Sequence, residues 1–203
     1  MPDEERRSAR RGFWGWPRTK WLLGIPIGGF VAFIVGAAAM VGTNAAIEAT
    51  SSDAFCATAC HSHEQFIYPE WKDSVHYSNR TGVRAGCADC HIPHEYPDKL
   101  IVKTRAGIHD TYQEFIRGSI STRERFEAKR EEMAERVWAE MRANDSRACR
   151  HCHNVESFTG QSARAERMHR RMETSDNTCI DCHEGVAHIA PADAARIFGA
   201  QSQ

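Results

Sequence analysis

Four pairs of cysteines, each followed directly by a histidine, are the residues of this sequence best suited to chemistry. Three pairs have the regular form Cys-x-x-Cys-His, in the stretches CADCH (87–91), CRHCH (149–153) and CIDCH (179–183). In this pattern the thiols bond the vinyl groups of a porphyrin and the histidine binds its iron, so the pattern predicts covalent c-type haem. The predicted attachment residues are Cys87, Cys90, Cys149, Cys152, Cys179 and Cys182, with His91, His153 and His183 as iron ligands.

The first pair is stretched. In FCATACHSHEQ, residues 55–65, three residues separate Cys56 from Cys60, and a second histidine, His63, follows His61 by two positions. The three intervening residues are small, so the extra one can bulge without striking a porphyrin. We predict a fourth haem here. A bare dithiol, or a disulfide left by loss of the haem, is the alternative interpretation.

All eight cysteines belong to these four pairs, which leaves none for a disulfide elsewhere. Paired cysteines also bind structural zinc, but zinc does not require a histidine directly after the second cysteine of every pair. The net charge of −1 gives no indication of a nucleic-acid partner. The predicted cofactors are therefore four covalently bound c-type haems.

An apolar segment precedes the first pair and must hold it in place. Residues 21–47 contain no charged side chain, and about 20 apolar residues are enough for a helix to cross a bilayer. We predict a single transmembrane anchor over residues 21–45. Residues 1–20 hold six basic and three acidic side chains, which places the N-terminus in the cytoplasm and the haem-bearing part in the periplasm, at the inner membrane. A cleaved signal peptide is the alternative, although the apolar run is longer than a typical signal.

The haem-bearing part is predicted to be mainly α-helical with extensive loops. Its cysteine pairs form two groups, since Cys56 and Cys87 are 31 residues apart and Cys149 and Cys179 are 30 apart. This predicts a two-lobed domain, with a first dihaem lobe over 46–120, a connecting helix over 121–146 and a second dihaem lobe over 147–203.

The connecting helix has the clearest helical pattern. Ser121 and Glu124 have capping-box spacing, and Asn144-Asp145-Ser146 ends the run. Its apolar residues share one face, at Phe126, Met133, Val137 and Met141. Residues 97–118 are also predicted to be helical, up to Gly118.

Several segments resemble the NapC/NirT family of membrane-anchored tetrahaem cytochromes, which is related to the NrfH subunit of nitrite reductase complexes. They include VHYSNRTGVRAGCADCHIPHEYPDKL (75–100), RMHRRM (167–172) and TCIDCHEGVAHIAP (178–191). The resemblance extends from the anchor to Pro191 and implies a quinol dehydrogenase. It also implies distal iron ligands at His76, His94, His169 and His188, whereas His151, between two cysteines, is interpreted as a spacer.

The sequence departs from that family at the first site. The family usually has Cys-x-x-Cys-His-x-Met, and in NrfH the methionine binds the first iron. Here the corresponding residue is His63. Either His61 binds the iron, as in an ordinary attachment site and as the regular motif favours, or His63 takes the place of the methionine. Imidazole is a stronger donor than a thioether and would lower the potential of this haem.

The resemblance also implies a quinol site. In NrfH-like proteins a lysine and an aspartate seven residues later lie beside the first haem, and Lys103 and Asp110 have this spacing. A seven-residue step returns to the same helix face. Lys103 is then predicted to hydrogen-bond the quinol oxygen, and Asp110 to accept a proton or occupy the distal face, with His109 as a further candidate. The alternative is that both are solvated surface charges.

The predicted function is oxidation of a membrane quinol, menaquinol or ubiquinol, with delivery of electrons to a periplasmic reductase or other redox protein in anaerobic or nitrogen-oxide respiration. Two alternatives remain open. One is an electron-transfer subunit that feeds electrons from a periplasmic oxidoreductase into the quinone pool. The other is a terminal reductase with an open haem iron. Glycines in the anchor allow a homodimer or larger complex.

Overall fold

A computed structural model describes residues 21–22 and 25–199 of the chain. The basic segment 1–20, predicted to be cytoplasmic, lies outside the described residues. Within the described ranges, β-structure is limited to one antiparallel pair, β1 (Trp21–Leu22) with β2 (Ile25–Pro26). Everything else is helix, turn or loop, so the predicted mainly α-helical fold class is confirmed.

Helices make up most of the regular structure. The described α-helices are α1 Ile27–Ala49, α2 Asp53–Thr58, α3 Tyr68–Lys72, α4 Cys87–His91, α5 Asp98–Thr111, α6 Arg123–Ala143, α7 Arg147–Cys152, α8 Ala163–Met172 and α9 Pro191–Gly199. Shorter turns are π-helical at His63–Ile67 and Tyr112–Ile116, and 3₁₀-helical at Val155–Ser157 and Cys179–Asp181.

Helix α1 is a candidate membrane span. It has 23 residues and is apolar enough to cross a bilayer, with Glu48 as its single charged residue. The helix begins and ends a few residues later than the predicted range of 21–45. The later start follows from Pro26, because a proline pushes the residue before it into an extended conformation, and Ile25 pairs in β2.

Among the described residues, those from Ile47 onward form one compact unit, and those before Ile47 belong to another. Few of the described apolar side chains in the unit that begins at Ile47 are buried. Phe66 packs on Phe126, with 5.2 Å between ring centres, and Trp71 packs edge-on against Tyr77. All four cysteine pairs lie in the unit that begins at Ile47. The boundary between the two predicted dihaem lobes stays a prediction.

Helix α6 shows that most of the segment 121–146 is helical, as predicted, but it begins later than predicted, and its role as a connection between lobes stays a prediction. Thr122, not Ser121, is the N-cap, because its hydroxyl accepts a hydrogen bond from the Arg125 N–H at 3.3 Å. The Ser121 hydroxyl donates instead to the Gly118 carbonyl. The predicted apolar face is confirmed, since Phe126 is buried and Met133, Val137 and Met141 are half-buried.

The ends of two helices follow their predicted signals. Helix α5 and the π-helical turn after it stop before Gly118, which has a φ of 56°. Glycine adopts this left-handed conformation without steric cost. Helix α6 ends at Ala143, and Asp145 and Ser146 then form a left-handed corner with φ values of 55° and 49°.

Candidate haem centres

Two of the attachment motifs lie on short helical turns that are fixed by capping side chains. Asp89 and Asp181 occupy the same position in their motifs, one residue before the second cysteine. The Asp89 carboxylate accepts a hydrogen bond from the Gly86 N–H, and the Asp181 carboxylate accepts one from the Thr178 N–H, both at 2.7 Å. Each carboxylate therefore satisfies a free N–H group at the start of its turn and closes the motif around the first cysteine.

The first and second attachment sites touch. The Asp53 carboxylate, at the start of α2, accepts a hydrogen bond from the Cys87 N–H at 2.9 Å. The pKa of the Cys56 thiol is lowered to about 7, mainly by a hydrogen bond with Cys87 and, against the effect of burial, by the charge of Lys103. The two cysteines are therefore neighbours.

The remaining sites continue this contact in chain order. Helix α4 packs against α7, and burial raises the pKa of the Cys90 thiol to about 11, with a further contribution from Cys149. The fully buried hydroxyl of Ser146, which precedes the third site, accepts a hydrogen bond from the Ile180 N–H of the fourth at 3.2 Å. All four sites are thus joined in the order of the sequence.

Three motif histidines each face a second histidine at a separation that fits an iron ion. The ring centres are 6.3 Å apart for His91 and His188, 6.2 Å for His153 and His76, and 6.1 Å for His183 and His169. An imidazole nitrogen binds a first-row metal at about 2 Å, so two rings on opposite sides of one ion have centres about 6 Å apart. The residues present therefore fit three irons with two histidine ligands each.

Two of the predicted distal histidines are oriented by hydrogen bonds. The Nδ1 of His76 lies 3.1 Å from the Val186 carbonyl, and the Nδ1 of His169 contacts the side-chain oxygen of Gln161. A histidine that donates from Nδ1 presents an unprotonated Nε2, which is the nitrogen available to a metal.

The third predicted distal histidine, His188, is half-buried. The pKa of His188 is lowered to about 4, mainly by burial and then by the charges of His91 and Arg130, so the ring is neutral near pH 7 and able to bind a metal. Its Nδ1 is buried and has no hydrogen-bond partner among the described residues.

A buried ion pair holds the loop that carries His188. The Glu70 carboxylate accepts hydrogen bonds from Arg130 at 2.6 and 2.9 Å and from the Ile189 N–H at 2.9 Å. Arg130 also donates to the Ile189 carbonyl at 3.0 Å. The Arg130 and Glu70 side chains are only 7% and 6% exposed. Sequence reasoning missed this network, because its partners lie far apart in the chain.

His94, the fourth predicted distal ligand, packs against His151 and not against a motif histidine. Its ring stacks on that of His151, with centres 4.0 Å apart and planes 14° from parallel. The ligand role of His94 and the spacer role of His151 stay predictions.

The first site differs from the others in having two candidate ligands. The Nδ1 of His63 lies 2.9 Å from the Cys56 carbonyl, the kind of hydrogen bond that orients metal-binding histidines. The His61 ring packs edge-on against Phe66, with centres 6.1 Å apart. Both histidines stay candidates for the first iron.

A buried carboxylate supports this site and was also missed by sequence reasoning. Ser62, between the two histidines, is fully buried and donates to Glu114 from both its backbone N–H and its hydroxyl. Glu114 is 9% exposed and lies in the π-helical turn after α5. In sequence, Glu114 looks like any other surface acid.

The predicted quinol residues both lie beside the first attachment site. Lys103 acts electrostatically on Cys56, and its Nζ donates to the Ser51 hydroxyl at 2.9 Å. Burial raises the pKa of the Cys60 thiol, and the carboxylates of Glu114 and Asp110 raise it further. Burial also lowers the pKa of Lys103. Lys103 and Asp110 therefore act electrostatically on the two cysteines of one site.

The chain matches known cytochromes over most of its length. The sequence model described as NapC/NirT cytochrome c family, N-terminal region, matches residues 18–193. The cytochrome c-type protein NapC of Haemophilus influenzae is 43% identical over 191 residues, which is 93% of each chain. NirT of Stutzerimonas stutzeri, a denitrification system component, is 45% identical over 178 residues, 86% of each chain.

A longer relative shares the same region. The cytochrome c-type protein TorY of Escherichia coli O157:H7 is 43% identical over 163 residues, which is 79% of this chain and 44% of the relative. No solved structure matches the chain. The matches over most of its length show that the protein belongs to the NapC/NirT cytochrome c family and is an electron-transfer cytochrome with covalently bound haem c.

Proposed function

We propose that this cytochrome carries four haems, oxidises a membrane quinol at the first of them, and passes the electrons to a periplasmic redox partner. One observation carries the proposal. Lys103 and Asp110, on one face of α5, lie beside the two cysteines of the first attachment site, where their charges act on Cys56 and Cys60. A cation and a carboxylate at the first site are what quinol binding and deprotonation require.

Oxidation of a quinol releases two electrons and two protons, and the haems, when bound, take up electrons one at a time. The protein side chains manage the protons. Lys103 donates a hydrogen bond to one quinol oxygen and so holds the ring near the first site. Asp110 accepts the proton from a quinol hydroxyl. Its Oδ1 is 2.9 Å from the Nδ1 of His109, so the proton can pass on to that exposed imidazole and then to water.

The contacts between neighbouring attachment sites support transfer away from the quinol. Each contact joins sites that are adjacent in sequence, from the Asp53 bond to Cys87 through to the Ser146 bond to Ile180. Such contacts keep neighbouring cofactors close and fix their spacing.

The candidate span α1 and the membrane-anchored family support a membrane location, with the N-terminus in the cytoplasm and the haem-bearing part in the periplasm. The name of the relative NirT, a denitrification system component, supports a role in nitrogen-oxide respiration and a reductase as partner. In the reverse direction, the protein would deliver electrons into quinone, and the reduction potentials separate the two directions.

Quinol oxidation is tested on the purified, haem-loaded full chain in lipid nanodiscs. A reduced menaquinol analogue is added, and reduction of the haems is followed by their absorption. We expect Asp110→Asn to slow this reduction by about 10²-fold, the lower range for loss of a general base. Lys103→Gln is expected to weaken quinol binding.

Matched controls are Glu131→Gln and Lys72→Gln, which make the same chemical changes at exposed positions on other helices. They should reduce at the wild-type rate. Unchanged rates in both Asp110→Asn and Lys103→Gln would rule out this quinol site. The haem number is tested separately by mass spectrometry, where a Cys56→Ser/Cys60→Ser variant should lose one of four haem masses.

A further inference from the structure

An apolar face on α5 and the turn after it is exposed to solvent. It consists of Ile101, Ile108, Tyr112, Phe115 and Ile116, all spaced to lie on one side of the helix. Ile108, Phe115 and Ile116 are 70%, 64% and 72% exposed. A contiguous exposed patch of large apolar side chains usually marks a binding surface.

A haem at the first site cannot cover this face. The charges of Lys103 and Asp110 act on Cys56 and Cys60 of that site, and Glu114 in the following turn accepts hydrogen bonds from Ser62. Ile101 precedes Lys103 by two positions, and Ile108 precedes Asp110 by two positions. Two positions are about 200° around an α-helix. The apolar face is therefore on nearly the opposite side of α5 from the side chains that act on the first site.

The start of α5 is tied to the end of the candidate membrane span. Lys99 forms an ion pair with Glu48 at 3.0 Å, and Glu48 belongs to the last turn of α1. Lys103 donates to Ser51, two residues after α1 ends. These bonds hold α5 at the point where the chain leaves its apolar segment, which in a membrane-anchored protein is the bilayer surface.

The charges around the apolar face fit the same environment. Arg105 and Arg117 are exposed, the first beside Ile101 and Ile108 on the helix and the second directly after Ile116. Long basic side chains can lay their aliphatic part on apolar surface while the charge reaches a phosphate group. An amphipathic helix with basic and aromatic residues lies in the membrane interface with its apolar face in the lipid.

We propose that the apolar face of residues 101–116 is embedded in the outer surface of the lipid bilayer, so that α5 is a second membrane contact in addition to the span. The inference does not depend on quinol oxidation, because it concerns only which molecules touch this face.

The test uses single-cysteine variants of the haem-loaded full chain. All eight native cysteines belong to attachment motifs, so an introduced cysteine is the free thiol that a maleimide reagent can modify. Ile108→Cys and Phe115→Cys place a benzophenone label on the apolar face. Val83→Cys is the matched control, since Val83 is an apolar residue with 67% exposure outside α5. Each labelled variant is placed in nanodiscs with anionic phospholipid, irradiated and weighed by mass spectrometry.

We expect a phospholipid adduct at positions 108 and 115, with a yield severalfold above that at position 83, in variants that keep the wild-type haem spectrum. Equal lipid adducts at position 83, or none at 108 and 115, would overturn the proposal. A crosslink to a second copy of the chain at 108 and 115 would also overturn it and identify a dimer interface instead.

Discussion

The fully buried Ser62 donates two hydrogen bonds to the carboxylate of Glu114, from its backbone N–H at 3.2 Å and from its hydroxyl at 2.9 Å. Ser62 separates His61 from His63, so this bond fixes the backbone between the two candidate ligands of the first iron. It also places a negative charge near Cys60. Glu114 therefore has both a structural and an electrostatic effect on the first site.

These two effects can be separated by substitution. Glu114→Gln removes the charge and keeps an acceptor for Ser62, so we expect a higher reduction potential for one haem and an unchanged stability. Glu114→Ala also leaves the buried Ser62 groups unpaired, which costs about 1–3 kcal/mol. A redox titration and a denaturant titration measure the two quantities. Equal stability of the two variants would contradict the structural role.

The first iron offers a second prediction. Because the Nδ1 of His63 is held by the Cys56 carbonyl, its Nε2 is oriented for a metal, and we expect His63→Ala to change the spectrum of one haem. His61→Ala should not. Electron paramagnetic resonance of the oxidised protein distinguishes the two outcomes, and the opposite result would assign the first iron to His61.

The histidine pairs predict three independent ligand losses. His76→Ala, His169→Ala and His188→Ala should each leave one haem with a single histidine, since each ring lies 6.1–6.3 Å from a different motif histidine. Each variant should show one new high-spin haem by electron paramagnetic resonance. His151→Ala is the control, because it is the predicted spacer. Loss of two haem signals from one substitution would contradict the pairing.

The buried ion pair of Glu70 and Arg130 predicts a stability effect. Arg130→Met leaves the Glu70 carboxylate buried without its cation, which typically costs about 3–5 kcal/mol. It also frees the loop at Ile189, next to His188. Arg136→Met removes a comparable ion pair with Glu132 from the same helix, but that pair is exposed, so its loss should cost about 1 kcal/mol at most. Denaturant unfolding followed by circular dichroism compares the two variants, which should differ in stability if the buried network contributes.

Local signals made part of this structure predictable. The Cys-x-x-Cys-His motifs, the apolar face of α6 and the end of a helix before Gly118 each depend on residues close together in sequence. The start of α6 was predicted one residue early, because Ser121 and Thr122 are both able to cap a helix and only the observed backbone decides between them.

Tertiary contacts account for what the sequence did not reveal. The pairing of His76 with His153, across most of the haem-bearing part, depends on how the helices pack. Glu70 and Glu114 look like solvated acids in a chain with 27 acidic residues. Their partners Ile189 and Ser62 lie 119 and 52 residues away, so no local pattern marks them.

The left-handed corner at Asp145 and Ser146 has a consequence for laboratory evolution of this protein. A left-handed backbone conformation costs a residue other than glycine about 1–2 kcal/mol. The substitution Asp145→Gly, at an exposed position, should therefore raise the temperature of unfolding. Glycine at Ser146 would relieve the same strain but delete the hydroxyl that receives the Ile180 N–H. Selection for thermal tolerance should therefore enrich glycine at position 145 and reject it at position 146, where the strained serine joins the last two attachment sites.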